Sequence, residues 1–366
     1  MTKINPNPLL RLHALGQRIW LDNLSRTLLN EGALKKLIAE DRIAGVTSNP
    51  TIFFKAISES PHYREELQKL NSDPALTAEQ RYETLAVADI QAACDLLLPQ
   101  FKSTTGDDGY VSLEVSPALA HDAAATLSAG LRLKKAVARD NLLIKVPATA
   151  AGLTAIEELV ANGCSVNVTL MFSLRHVREV AQAYVRGITR HMDAGGDARK
   201  VKSVASLFLS RVDTLVDKRL EAIGGEALAL RGRSAVALAK LAYQDCRATF
   251  ANAVFSALAK RGARPQAMLW ASTGTKNPAY NDVLYIESLI GPQTINTVPD
   301  ATLAAFREHG KAEPTLETGI DAAREQFAAL QRFGIDMDAT GQELQVEGLK
   351  QFEDSFRQLL ALTSAP

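Results

Sequence analysis

The segment NLLIKVP, residues 141–147, has the composition of a buried β-strand and carries a lysine at its fifth position. A lysine seldom goes fully inside unless something answers its charge. Polar residues of one parity recur near the ends of the other β-like runs: Asp22 in WLDN, Asn49 in GVTSN, Glu114 in VSLEVS, Asn167 and Thr169 in CSVNVTL, and Ser206 in VASLFLS. Successive side chains of a strand point to opposite faces, so each of these residues stands opposite the apolar set of its own strand. If the polar faces converge, one cavity gathers Lys145, Asp22, Glu114, Asn49, Asn167, Thr169 and Ser206. Desolvation disfavours an ammonium ion, and a neutral amine attacks a ketone to form a Schiff base. The protonated imine then withdraws electrons from a neighbouring C–C bond. Two carboxyl groups, Asp22 and Glu114, supply the proton transfers that imine formation and bond cleavage require. This is the chemistry of a metal-free aldolase.

The elements that must position these residues are legible as an alternation. Eight β-like runs fall at 18–23, 43–49, 110–116, 141–147, 164–171, 201–210, 267–273 and 293–299. Segments of helical periodicity lie between them, among them 31–41, 121–139, 152–162 and 173–192. Two longer intervals, 50–102 and 211–264, are rich in Ala and Leu and read as helical insertions. Eightfold strand–helix alternation predicts an α/β fold, a single (β/α)8 barrel domain over 1–366, with catalytic groups at the carboxyl ends of the strands. A doubly wound open sheet is the rival arrangement. The 311–366 tail reads as helical, and Leu344, Leu349, Phe352, Phe356, Leu359 and Leu360 form one stripe predicted to pack back on the barrel.

Composition limits the alternatives. The 366 residues are 46% apolar and 22% charged, with 41 Lys plus Arg against 41 Asp plus Glu. Zero net charge argues against a general nucleic-acid or membrane-surface binder. Cys94, Cys164 and Cys246 are far apart and form no CxxC, and the six histidines form no HxH or HExxH pair, so neither a disulfide scaffold nor a metal site is expected. The string STGTK at 272–276 lacks the glycine that a phosphate loop needs five residues before Gly274, where Leu269 stands. No apolar run reaches the ~20 residues of a membrane helix, and the amino-terminal stretch lacks the apolar core of a signal peptide. The expected setting is the cytoplasm.

Taken in order, GVTSNPTIF, VSLEVSP, NLLIKVPAT, CSVNVTLMFS and LWASTGTKNPAY resemble the transaldolase family, in the spacing of its longer bacterial branch. The resemblance runs from about Ile19 to about Leu303. It implies a class I aldolase-type barrel without cofactor or metal. It also implies reversible transfer of a dihydroxyacetone unit, in the non-oxidative pentose phosphate pathway. The donor would be sedoheptulose 7-phosphate or fructose 6-phosphate, the acceptor glyceraldehyde 3-phosphate or erythrose 4-phosphate. Lys145 then matches the Schiff-base lysine, Glu114 the acid/base working with a catalytic water, and Thr169 the residue that helps hold that water. Asp22 matches the group that handles the proton of the donor's C4 hydroxyl. Asn49 and Asn167 match the amides that bind donor hydroxyls, Ser206 lies by the same cavity, and Arg211 and Ser272 match phosphate-binding positions. Where the family's better-known branch carries Ser-Phe-Arg-Asn, this chain reads Ser272-Thr-Gly-Thr-Lys276-Asn277, which gives Lys276 the place of the phosphate-binding arginine. The related fructose 6-phosphate aldolases carry a tyrosine where this chain has Phe208, so transfer is expected over simple cleavage. A non-catalytic barrel that only binds a sugar phosphate is the other alternative. Expected partners are small sugar phosphates, with no nucleic acid and no membrane, in a monomer or homodimer.

Overall fold

A computed structural model describes residues 7–364. Eight strands form a closed, all-parallel barrel in sequence order. They are β1 (Gln17–Leu21), β2 (Gly45–Val46), β3 (Tyr110–Glu114), β4 (Leu142–Pro147), β5 (Val166–Met171), β6 (Ser203–Phe208), β7 (Ala267–Ala271) and β8 (Thr294–Val298). Closure is made by β1 against β8, from Gln17↔Thr294 to Leu21↔Val298. At least one helix follows every strand, as a parallel connection demands. The expected barrel is present, and the open sheet is excluded by the β1–β8 ladder.

The alternation seen in the sequence becomes two layers. Leu142, Ile144 and Val146 of β4 and Val166 and Val168 of β5 are fully buried. Their parity faces the helices Ala123–Val137, Ala150–Ala161 and Leu174–Asp193 that follow β3, β4 and β5. The opposite parity fills the barrel with polar groups that satisfy one another. Asn167 donates from Nδ2 to Ser112 Oγ at 3.0 Å and accepts at Oδ1 from Ser206 Oγ at 2.7 Å, tying β3, β5 and β6 together. Buried amides and hydroxyls survive in such a core only when paired in this way.

The helical intervals hold several helices each. Pro50–Glu59, Arg64–Asn71 and Ala78–Ser103 lie between β2 and β3; Ser210–Ile223, Ser234–Ala251 and Ala253–Lys260 lie between β6 and β7. The tail contributes Ile320–Arg332 and Met337–Leu362. The second of these packs on Pro50–Glu59 and on the end of β5, burying Leu344, Leu349, Phe352, Phe356 and Leu359; Leu360 is only half-buried. His176 is the buried histidine. It is buried just after β5, where Phe172 N–H donates to its Nδ1 at 3.2 Å, and burial pulls its imidazole down to about 4. No helix among the described residues is long and apolar enough to cross a membrane.

β2 is far shorter than the 43–49 run suggests, for a reason that leads to the site. Thr47 N–H still donates to Leu21 O at 2.9 Å, but beyond it the backbone leaves the ladder, Ser48 Oγ donates to Ser112 O, and the carbonyl of Ser48 turns inward to accept from Lys145 Nζ at 3.0 Å. At the start of β2, Gly45 sits under the indole of buried Trp20, and a Cβ there would lie 2.5 Å from the ring. Gly45→Ala should therefore force the indole or the strand to shift and lower stability by about 1–3 kcal/mol. Denaturant unfolding measures this, and an unchanged midpoint would show that the ring moves freely.

Candidate active site

Polar strand ends meet at the carboxyl-terminal mouth of the barrel around a cavity of about 300 Å³. Asp22, Asn49, Lys145, Thr169, Ser206, Phe208, Arg211, Ser272 and Lys276 all line it. Neighbouring strands supply adjacent pieces because the barrel sets their register: Glu114↔Lys145 across β3–β4 and Lys145↔Asn167 across β4–β5.

Lys145 is 5% exposed and Glu114 8%. Nζ stands 3.1 Å from Glu114 Oε2 and donates to Ser48 O. The ring of Phe352, from the helix Met337–Leu362, has its centroid 5.7 Å from Nζ. Burial drives the Glu114 carboxyl above its ordinary range, while the Lys145 charge and hydrogen bonding to it pull the other way. Thr169 Oγ1, also buried on this wall, has no hydrogen-bond partner among the described residues.

Asp22 follows β1 on the other side of the cavity. Its Oδ1 accepts from Thr47 Oγ1 at 2.8 Å, and that hydroxyl meets Thr297 Oγ1 at 2.7 Å. Burial raises the Asp22 carboxyl, against the lowering action of Lys145 and then of the Thr47 hydrogen bond. Asp22 caps no helix; Ser25 performs that task for Arg26–Asn30. Asn49 does cap a helix. Its Oδ1 accepts from Ile52 N–H at 3.0 Å, which leaves Nδ2 for the cavity.

Arg211 opens the helix that follows β6. Its guanidinium stands 5.7 Å from the centroid of Phe208, Nη1 is buried without an acceptor among the described residues, and burial lowers its pKa. Glu347 is the one nearby charge that works against this lowering, and a buried Nη1 with no acceptor among the described residues leaves the position suited to an anion. Ser272 lies beside it with Oγ 2.8 Å from Ser210 Oγ, and Lys276 reaches the rim from the same loop.

Two residues stand differently from the simplest convergence. Asn167 is fully buried, does not line the cavity, and spends both ends of its amide on Ser112 and Ser206. Glu114 reaches the cavity only through Lys145. Other participants escaped notice in the sequence. Thr47 and Thr297 carry the hydrogen-bond chain to Asp22; Thr47 shares the parity of Asn49, a usable signal, but Thr297 in TINTV looks like any strand threonine. Phe352 was legible only as a core position of an amphipathic helix. The carbonyl of Ser48 has no sequence signature.

The sequence profile of the family described as Transaldolase/Fructose-6-phosphate aldolase matches residues 19–363. Similar proteins include "Transaldolase" from Thiobacillus denitrificans, 56% identical over 348 residues that cover 95% of this chain and 97% of the relative. "Transaldolase" from Neisseria gonorrhoeae is 49% identical with the same coverage. "Transaldolase" from Mycobacterium marinum is 45% identical over 100% of this chain and 98% of its own length.

The hydrogen bond from Thr47 favours the ionised form of Asp22. Thr47→Val removes it and should raise the Asp22 pKa further, moving the acid limb of the kcat/KM profile toward higher pH. An acid limb that stays in place or moves toward lower pH would remove Asp22 from the reaction.

Proposed function

The chain belongs to the transaldolase/fructose-6-phosphate aldolase family and has transaldolase activity, and we propose that the transfer runs through a Schiff base at Lys145. The observation that carries this reading is the buried Lys145–Glu114 pair at 3.1 Å, facing a cavity whose other cations are Arg211 and Lys276. The donor is a ketose phosphate such as sedoheptulose 7-phosphate or fructose 6-phosphate. The acceptor is an aldose phosphate such as glyceraldehyde 3-phosphate or erythrose 4-phosphate.

The neutral amine of Lys145 attacks the ketone carbon, C2, of the donor. Glu114, whose carboxyl is held toward its protonated form by burial, exchanges protons with the carbinolamine through a water held by the free hydroxyl of Thr169, and water leaves as the imine forms. Asp22 then takes the proton of the C4 hydroxyl. The C3–C4 bonding pair flows into the iminium, the aldose phosphate departs, and an enamine of dihydroxyacetone remains on Lys145. An incoming aldehyde accepts that carbon nucleophile at its carbonyl carbon, and the steps run in reverse. Asn49 offers its free amide hydrogens to the donor hydroxyls. Asn167 and Ser206 support the floor from which Lys145 and Thr169 project. Phe208, packed against Phe172 at 5.2 Å, offers no proton to the enamine, so the intermediate persists until an aldehyde arrives. Arg211, Ser272 and Lys276 hold the phosphate.

Incubation with fructose 6-phosphate followed by borohydride should leave a dihydroxyacetone-derived mass on the peptide that contains Lys145. Retention of full turnover by Lys145→Ala would remove the amine from the mechanism. Arg211→Ala removes binding shared by ground and transition states, and should raise KM for phosphorylated substrates roughly tenfold or more while lowering kcat less. An unchanged KM would place the phosphate elsewhere.

A further inference from the structure

β5 does not end as a regular strand. Its register against β6 shifts between Val168 and Met171, and the buried, non-glycine Leu170 lies at φ 57°. A left-handed leucine costs roughly 1–2 kcal/mol and persists only where its surroundings impose it. The bulge spans Thr169, which lines the cavity, and takes the carbonyl of Leu170 out of the ladder.

One side chain collects that carbonyl. Gln345, 5% exposed on the helix Met337–Leu362, donates from Nε2 to Leu170 O at 3.0 Å and to Ala148 O at 2.9 Å. Ala148 N–H in turn donates to Thr169 O at 2.8 Å. The amide of Gln345 thus closes a ring that joins the ends of β4 and β5. Ala148 is three residues past Lys145, and Leu170 adjoins Thr169.

The helix reaches this depth because of its small residues. At Gly341 a Cβ would lie 2.6 Å from Ser173 Cβ and 3.0 Å from Phe172 O; at Gly348 it would lie 3.1 Å from Leu170 Cδ2 and 3.4 Å from Arg211 Nη1. These glycines flank Gln345 on the same face. Two turns beyond it, Phe352 covers Lys145.

We propose that Gln345 is a positioning residue for the transfer, holding the bulge of β5 so that the Thr169 hydroxyl addresses the carbon bound to Lys145. The assignment rests on Lys145 as the Schiff-base lysine and adds to it the group that fixes its neighbour. Gln345 touches no substrate and acts through Thr169. A purely structural role would lower the melting temperature and leave turnover by the folded protein unchanged.

Gln345→Met keeps length and apolar bulk and loses both donors. The expected result, at a temperature where the variant is fully folded, is a kcat at least tenfold lower with KM within threefold of the parent. Formation of the borohydride-trappable adduct should slow in single turnover. In a Thr169→Ala background the same substitution should cost less than threefold, because the group it positions is gone. Gln345→Glu supplies a second readout should the methionine variant fold poorly. Its protonated carboxyl keeps one donor and its ionised form none, so its activity relative to the parent should rise as pH falls. Parental kcat in Gln345→Met, an equal loss in both backgrounds, or a pH-independent ratio for Gln345→Glu would each overturn the proposal. Absence of any adduct in the parent protein would overturn the Schiff-base reading instead.

Discussion

A lysine and a glutamate held at 3.1 Å inside a closed barrel set the terms for the rest of this molecule. Both are nearly sealed from water, and removing an ammonium and a carboxylate from water costs several kcal/mol for each ion. The fold offsets that cost with the carbonyl of Ser48 just after β2, an aromatic ring from the helix Met337–Leu362 and the stiffness of eight paired strands. Burial favours the uncharged carboxyl of Glu114, while the charge of Lys145 and the hydrogen bond to it oppose that shift.

The cavity divides its labour by sides. The wall made by β3, β4 and β5 carries the amine, its carboxyl neighbour Glu114 and the hydroxyl of Thr169, which has no partner among the described residues. The β1, β2 and β8 side carries Asp22 on a chain of threonine hydroxyls. The ends of β6 and β7 carry the cationic groups, with Ser210 and Ser272 linking them. Backbone irregularity gathers at the same rim. Leu170 and Ser272 both lie at positive φ, each where a strand ends beside the cavity. Such conformations place a side chain where regular pleating would not.

Much of this was legible in the residues. The barrel followed from eight runs separated by helical periodicity, and the inward parity followed from polar residues that skip every second position. Lys145, Asp22, Asn49, Thr169, Ser206, Arg211, Ser272 and Lys276 do line one cavity, because a parallel closed sheet brings all carboxyl ends together. What stayed hidden depends on register and on backbone. Parity puts Asn167 and Thr169 on one face, but depth decides that the first is spent on Ser112 and Ser206 while the second faces the cavity. The inward carbonyl of Ser48 belongs to no residue type. Phe352 reads as core because it is core, and the surface it packs on happens to include Lys145.

Closure of the ring has a kinetic side. Gln17 on β1 and the hydroxyl of Thr294 on β8, which hydrogen-bond at 3.1 Å, are 277 residues apart in the chain, and contacts of that span form late because they close the largest loops. The surroundings of Lys145 are likewise assembled from distant parts of the chain: the carbonyl of Ser48 after β2, Glu114 on β3 and Phe352 on the helix Met337–Leu362. An enclosed setting for this amine therefore exists only in the finished architecture.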